Sequence, residues 1–273
     1  MAHKSRFVRA ALAVVLSFTG AIATTPPAAA QGLTQYLDLT SDEFTRADMT
    51  RADIEAQLAA LAPSATLDLS GKRLNKLDLS GMDLSRTKLQ AARLNGANLK
   101  GVDFSGVNLD GAWALKADLT DAKFIGTSMF QTQLMDAKLD GADFSNAMVG
   151  ADMTRASLVN AKFNDAMLAP DLTNQSMGLM RGILTSAKLD GASFKGANLV
   201  RSVFEYASLR NVDFEGANLE GSELSGADLT GANVKGANFA KADINGAKLL
   251  QLRGRDGMLG FDATVNRDKA ILD

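Results

Sequence analysis

From Leu69 onward a large apolar residue returns at every fifth position. The first run has sixteen such centres, from Leu69 to Phe144, and fifteen of them are Leu, Phe or Met. Four more follow from Met153 to Leu168, and a third run from Leu179 to Leu249 is apolar at all fifteen. A period of five suits neither an α-helix, whose faces repeat at 3.6, nor a continuous strand, which repeats at two. Fixed self-similarity over thirty-five copies decides the architecture before local propensity does.

Each copy has an internal order. A small residue stands two positions before the centre, as at Ala92, Ala97, Ala117, Ala122, Ala137 and Ala142. The residue between is polar, often Asp or Asn, as at Asn98, Asp103, Asp118, Asn198 and Asp228. Small-in, polar-out, large-in is the alternation of a short strand. The last two residues are polar or Gly, and Gly fills the final slot in eight of the first sixteen copies and eight of the last fifteen. A glycine there suits a corner, because it takes positive φ at little cost. A short straight side followed by a corner, repeated, must coil.

The segments A-N-L-K-G (Ala97–Gly101), A-N-L-E-G (Ala217–Gly221) and A-D-L-T-G (Ala227–Gly231) resemble the pentapeptide-repeat family. The resemblance covers about 185 of the 273 residues. It implies an all-β solenoid, a right-handed quadrilateral β-helix with four repeats, or twenty residues, per coil. Thirty-five copies then make just under nine coils, a rod roughly 40 Å long at the usual strand spacing. The bore would be filled by stacked Leu/Phe and Ala ladders, with no room for a channel or a buried ligand.

Within the repeat region, 64–249, the pattern breaks twice. Val149 to Met153 is a step of four, which places an interruption near 148–152. Leu168 to Leu179 is a step of eleven, and the stretch 169–178 holds the only proline of the repeats. It reads as a bulge or loop; in some members of the resembled family such loops contribute to target contact. At position 114 the centre is only Ala, flanked by Trp113 and Leu115. Either Trp113 lies outside with Leu115 partly exposed, or the register slips and Leu115 points inward.

An open β-helix exposes its bore and its strand edges, so both ends need caps. In the N-terminal segment, 31–63, a short capping helix is expected at about 50–61. Thr50 can cap it, with Asp53 three residues on, and Ile54, Leu58 and Leu61 share one face. Leu39, Phe44, Met49 and Ile54 are also in phase with Leu69, so 36–49 stays open between degenerate repeats and another structure. The tail 250–273 carries Gly254, Gly257 and Gly260 but no five-residue pattern, and reads as a cap or tail.

Residues 1–30 have a basic start, an apolar run over Ala10–Ala23 and Ala28-Ala29-Ala30 before Gln31. This is the layout of a cleavable secretory signal, and the run is short for a membrane span. The expected product is periplasmic or secreted, begins near Gln31 and has no membrane span. Its removal takes away the single histidine, His3, and leaves 26 basic against 31 acidic residues. With no cysteine either, the mature chain lacks the parts of Ser-His-Asp and Cys-His nucleophile systems and of His- or Cys-ligated metal sites. No cofactor, metal site or catalytic residue is expected. A mildly acidic chain is also poorly suited to direct nucleic-acid binding.

Stacking at twenty residues lets the outer columns be written from sequence. Arg73, Arg93, Trp113 and Gln133 form one, with Asn75, Asn95, Leu115 and Met135 beside it. Arg over Trp would make a cation–π contact, and Leu115 with Met135 a small apolar patch. Arg73, Arg93, Trp113, Leu115 and Met135 are therefore the candidate interaction face. Asp83, Asp103, Lys123 and Asp143 form an acidic column that could attract a cation but is more simply screened by its lysines. The expected function is a non-catalytic scaffold presenting a rigid surface to a protein or cell-envelope partner. The resemblance also offers an alternative: some family members mimic DNA and bind DNA gyrase. An export signal and a small, mixed charge both oppose it. A carboxylate-based hydrolase is a third reading, for which no groove is visible in the sequence pattern.

Overall fold

A computed structural model of the chain describes residues 37–170 and 180–273. The segment 1–30, the start near Gln31, Leu179 and most of the 169–178 interruption lie outside the described residues. The residue before each centre pairs in parallel with its counterpart one coil on, as in Arg73↔Arg93, Asp78↔Asn98 and Asp83↔Asp103. Four such columns make the four sides of a β-helix. The side that begins at Arg73 runs through ten rungs to Val265, which at the usual strand spacing is roughly 45 Å. Each side is so short that extended pairs are only two residues long. They are β1 (Leu67–Asp68) with β2 (Thr87–Lys88), and β3 (Lys248–Leu249) with β4 (Ile271–Leu272), both parallel.

Backbone hydrogen bonds explain why five residues suffice for a side and a corner. Leu99 N–H donates to Asp118 of the next coil at 2.7 Å, and Asn98 N–H donates back to Leu77 at 2.9 Å. Val102 N–H closes the corner onto Leu99 at 3.2 Å, with Gly101 at φ 62°. Positive φ at the third residue is the signature of a type II turn. Several non-glycine corner residues lean over a glycine one coil on. Tyr206 does so: a Cβ on Gly226 would meet its ring at 2.6 Å. Asp121 over Gly141 and Asn211 over Gly231 repeat the arrangement.

The bore is solid. Phe104, Phe124, Phe144, Phe163, Phe194 and Phe214 stack along one side, with successive ring centroids 4.5–5.4 Å apart. Where Thr or Ser replaces Ala in the small slot, its hydroxyl is spent on the backbone. Thr127 donates to Phe104 O at 3.0 Å and Thr132 to Leu109 O at 2.9 Å. Ser222 is an exception, buried with no partner for its Oγ. Ala114 is a true centre: it is buried, and its N–H donates to Gln133 at 2.8 Å. The register therefore does not slip there, and Trp113 lies outside. The short side chain leaves a void of about 10 Å³, walled by Leu94, Phe104, Leu119 and Leu134 among others.

Both irregularities fall at one corner, on consecutive coils. Val149 fills a regular inward slot, and the missing residue comes out of the corner, leaving Gly150 pressed against Phe130. One coil on, the ladder passes from Met167 and Leu168 to Ile183 and Leu184. That step is sixteen residues instead of five. The shaft keeps its pairing across both, with Gln133↔Asp152 and Asp152↔Ile183 on the same side.

Before the first coil come two helices, α1 (Asp42–Thr45) and α2 (Arg51–Ala59). Thr50 and Asp53 form a reciprocal capping box at the start of α2. Ile54 is fully buried with the core, while Leu58 and Leu61 pack on it partly exposed. After Leu249 the chain makes one more coil on a period of six. Arg253, Leu259, Val265 and Ile271 pair with the last regular coil. Gly254, Gly260 and Asn266 take positive φ, and a 3-10 turn follows each. Leu252, Met258, Phe261, Ala270 and Leu272 pack against the end of the core.

The two kinds of inward slot should respond oppositely to added volume. Ala97→Leu overpacks a small slot and should cost about 1–3 kcal/mol. Ala114→Leu extends into an existing void and should leave stability unchanged or raised. Equal losses for both in thermal or urea unfolding would contradict this assignment of slots.

Candidate interaction face

The structure places all five candidate residues on one side but covers much of that side with the chain's own N-terminal segment. Ala47 bridges Leu74 in antiparallel sense, and Asp48 N–H donates to Arg73 O at 2.7 Å. Asp48 in turn accepts from Arg73 N–H, Nε and Nη2 at 2.6–2.9 Å. Asn75 donates through Nδ2 to Glu43 O and Arg46 O at 3.1 and 2.8 Å. Arg51 reaches Ser80 O at 3.1 Å. Residues 42–51 are thus strapped across the first coils.

Phe44 is the anchor of the strap. Its ring meets Trp113 edge-on, with centroids 5.4 Å apart. The Arg93 guanidinium lies 5.5 Å from the Trp113 ring and 5.8 Å from Phe44, so one cation serves two aromatic rings. Glu43 comes within 3.2 Å of Arg93 Nε, off the N–H axis, as an ionic contact. Beside this cluster, Asn75 Oδ1 accepts from Asn95 N–H and Nδ2, and Asn95 Oδ1 accepts from Leu115 N–H.

Leu115 and Met135 are both buried, at 9% and 7% exposure. They do not form an open apolar patch, and Leu115 lies beside Leu39 and Phe44 of the N-terminal segment. The physical reason is legible in retrospect: Phe44 needs an apolar seat, and Trp113 with Leu115 supplies it. The columns place Arg73, Arg93 and Trp113 on adjacent rungs, but what lies against them is residues 43–48.

The charged columns elsewhere are cross-linked within themselves. Lys123 reaches Asp103 at 3.4 Å and Lys162 reaches Asp143 at 3.9 Å. Asp118 sits between Lys100 and Lys138, and Asp228 between Arg210 and Lys248. Burial disfavours ionised Asp118, but hydrogen bonds from the Thr120 hydroxyl and N–H together with the charge of Lys100 prevail and hold it below the usual carboxylate range. Among the described residues no group of three acidic, His or Cys side chains is placed to hold a metal ion.

Trp113 is the only tryptophan and reports on the strap directly. Phe44→Ala should shift its emission to the red and raise its quenching by acrylamide, with the shaft still folded by circular dichroism. Acid should do the same. The Arg73 hydrogen bonds hold Asp48 below the usual carboxylate range, so its contribution is complete above that range and is lost as pH falls through the lowered value. Emission unaltered by either change would show that the strap does not seat on Trp113.

The Pentapeptide repeats family model matches in eight copies, over residues 68–101, 83–114, 117–149, 132–169, 183–221 and 222–252. A search of curated proteins finds no match. Solved structures give several. HetL, a pentapeptide repeat protein involved in heterocyst differentiation regulation in the cyanobacterium Nostoc sp. strain PCC 7120, is 24% identical. That alignment covers 82% of this chain and 94% of HetL, with a TM-score of 0.48. Full-length QnrB1, a plasmid-mediated fluoroquinolone resistance protein, is 21% identical over 77% of this chain and 92% of its own, with a TM-score of 0.35. A pentapeptide repeat protein of the Arabidopsis thaliana thylakoid lumen is 28% identical over 56% of this chain and 79% of its own, with a TM-score of 0.18. The five-residue ladder, the four-sided coil and the family match over more than half of the sequence agree, and the chain belongs to the pentapeptide-repeat family.

Proposed function

We propose that this protein is an exported, non-catalytic scaffold whose rigid β-helical surface is presented to a protein or cell-envelope partner. The observation that carries the reading is the filled bore. The inward slots are packed with Leu, Phe and Ala, and the interior void is about 10 Å³, so recognition falls to the outside. Proteins of this family are generally structural or interaction proteins. Among the described residues no helix is long and apolar enough to cross a membrane.

Arg73, Arg93 and Trp113 act in this reading as the seat of the strap, and a partner meets strap and seat together as one composite face. Leu115 and Met135 support it from below. Helix α2 serves as the N-terminal cap, with Ile54 as the plug and the Thr50–Asp53 box fixing its start. In this reading a capping segment 31–63 precedes a shaft 64–249 and a C-terminal cap 250–273.

The gyrase-binding alternative has a specific obstacle. A DNA mimic needs carboxylates in unneutralised rows, because the field of a duplex comes from uncompensated charge. Here Asp103, Asp118, Asp143 and Asp228 each have a Lys or Arg within 4 Å. The basic, apolar and small-residue order of 1–30 supports export instead. Cell fractionation with N-terminal sequencing tests the reading. Periplasmic or secreted protein beginning at or near Gln31 is expected. Uncleaved protein confined to the cytosol would overturn export and bring the gyrase reading forward.

A further inference from the structure

Beside the strap lies a notch that the scaffold role leaves unused. Lys76, Gly96 and Lys116 are successive corner residues of one column, at φ 59°, 62° and 56°. Two rungs separate the lysines, roughly 10 Å at the usual strand spacing. Gly96 leaves the middle rung without a side chain. Leu39 and Phe44 of the N-terminal segment and Leu115 line, with Thr45 and Asn95, an open cavity of about 190 Å³. Neither lysine lies within ion-pair distance of a described carboxylate. Asp136, on the rung after Lys116, is held by Arg155 at 2.7 Å.

This sets the notch apart from the rest of the surface. Many column cations reach an acid one rung away, as Lys123 does Asp103, and others such as Lys72, Lys88 and Lys188 stand without an ion pair to a described acid, but Lys76 and Lys116 border an apolar cavity. Here two cations border one cavity with apolar walls, the Lys76 stem running past Gly96, and neither has a described carboxylate within ion-pair distance. An anion over Gly96 would meet both ammonium groups, and a short alkyl segment would cover Leu39, Phe44 and Leu115. The space is smaller than the roughly 300–1,000 Å³ of sites that take drug-sized ligands. A chain of about eight carbons fits the cavity better than a flat bilayer surface would, because the strap closes one side.

We propose that this notch binds a free medium-chain carboxylate, its head between Lys76 and Lys116 and its alkyl chain along Leu39, Phe44 and Leu115. The test is calorimetric titration of the full chain with sodium octanoate, 1-octanol and octyltrimethylammonium, each below its micelle concentration. Octanoate should bind most tightly and the cationic amphiphile should not bind. Lys76→Ala/Lys116→Ala should weaken octanoate about five- to tenfold and leave octanol unaffected. Gly96→Met should abolish binding of both, since a Cβ at Gly96 meets only Lys76 Cγ, at 3.6 Å, and the side chain fills the gap. Thermal unfolding checks that each variant keeps the fold. Octanoate affinity unaltered in both variants would overturn the proposal. So would recruitment to phosphatidylglycerol vesicles without octanoate binding, which would make a lipid surface the ligand.

Discussion

Everything in this molecule depends on like stacking on like. A coil of twenty residues places each inward side chain directly over its counterpart in the next coil. Phe124 rests on Phe104 and Phe144 on Phe124, with rings 4.7–5.2 Å apart and nearly parallel. That spacing is the backbone rung itself, so the bore tolerates neither a missing layer nor an extra one. The two length changes in the repeats respect this limit. One residue is lost and eleven are gained at a single corner, while the ladder Gln133–Asp152–Ile183 continues unbroken.

The same stacking governs the outside. Side chains of one column lie a rung apart, close enough for Lys and Asp to pair and for one asparagine to hydrogen-bond another, as Asn238 Nδ2 donates to Asn218 Oδ1 at 3.1 Å. Surface pairs of this kind contribute little individually. Their effect is on charge pattern: they convert acidic columns into mixed ones. At several corners a side chain lies over a glycine one coil on, as Tyr206 does over Gly226 and Asp121 over Gly141. Lys76 and Gly96 repeat that arrangement beside the strap, with Lys116 on the next coil.

The shaft was legible in the sequence because its period is forced by geometry and repeated until chance is excluded. The Thr50–Asp53 capping box was legible for the same kind of reason, a local signal with a fixed spacing. The strap was not. Leu39, Phe44 and Met49 keep the phase of the repeats, yet Phe44 lies against the outer ring of Trp113 rather than in the bore. Periodicity cannot tell an inward apolar residue from one that seats on an outer face of its own chain. Reading Leu115 and Met135 as an open patch failed on that point. The final coil was missed differently. Gly254, Gly260 and Asn266 recur every six residues, as do Asp256, Asp262 and Asp268. A search fixed at five passes over them, although the signal is as regular as the one before it.

The functional account rests on a shaft whose coils pair rung by rung, leaving chemistry to the outer faces and ends. Amide hydrogen exchange resolved by residue tests that pairing most directly. In one repeat, Leu139, Gly141, Ala142 and Asp143 donate their N–H groups to the backbone of their own or a neighbouring coil at 2.7–3.1 Å, and Asp140 has no backbone acceptor. Slow amides at the four backbone-paired positions, recurring at period five along the shaft, and a fast amide at Asp140 are predicted. Uniformly fast exchange, or an Asp140 amide as protected as its neighbours, would contradict the ladder and the account built on it.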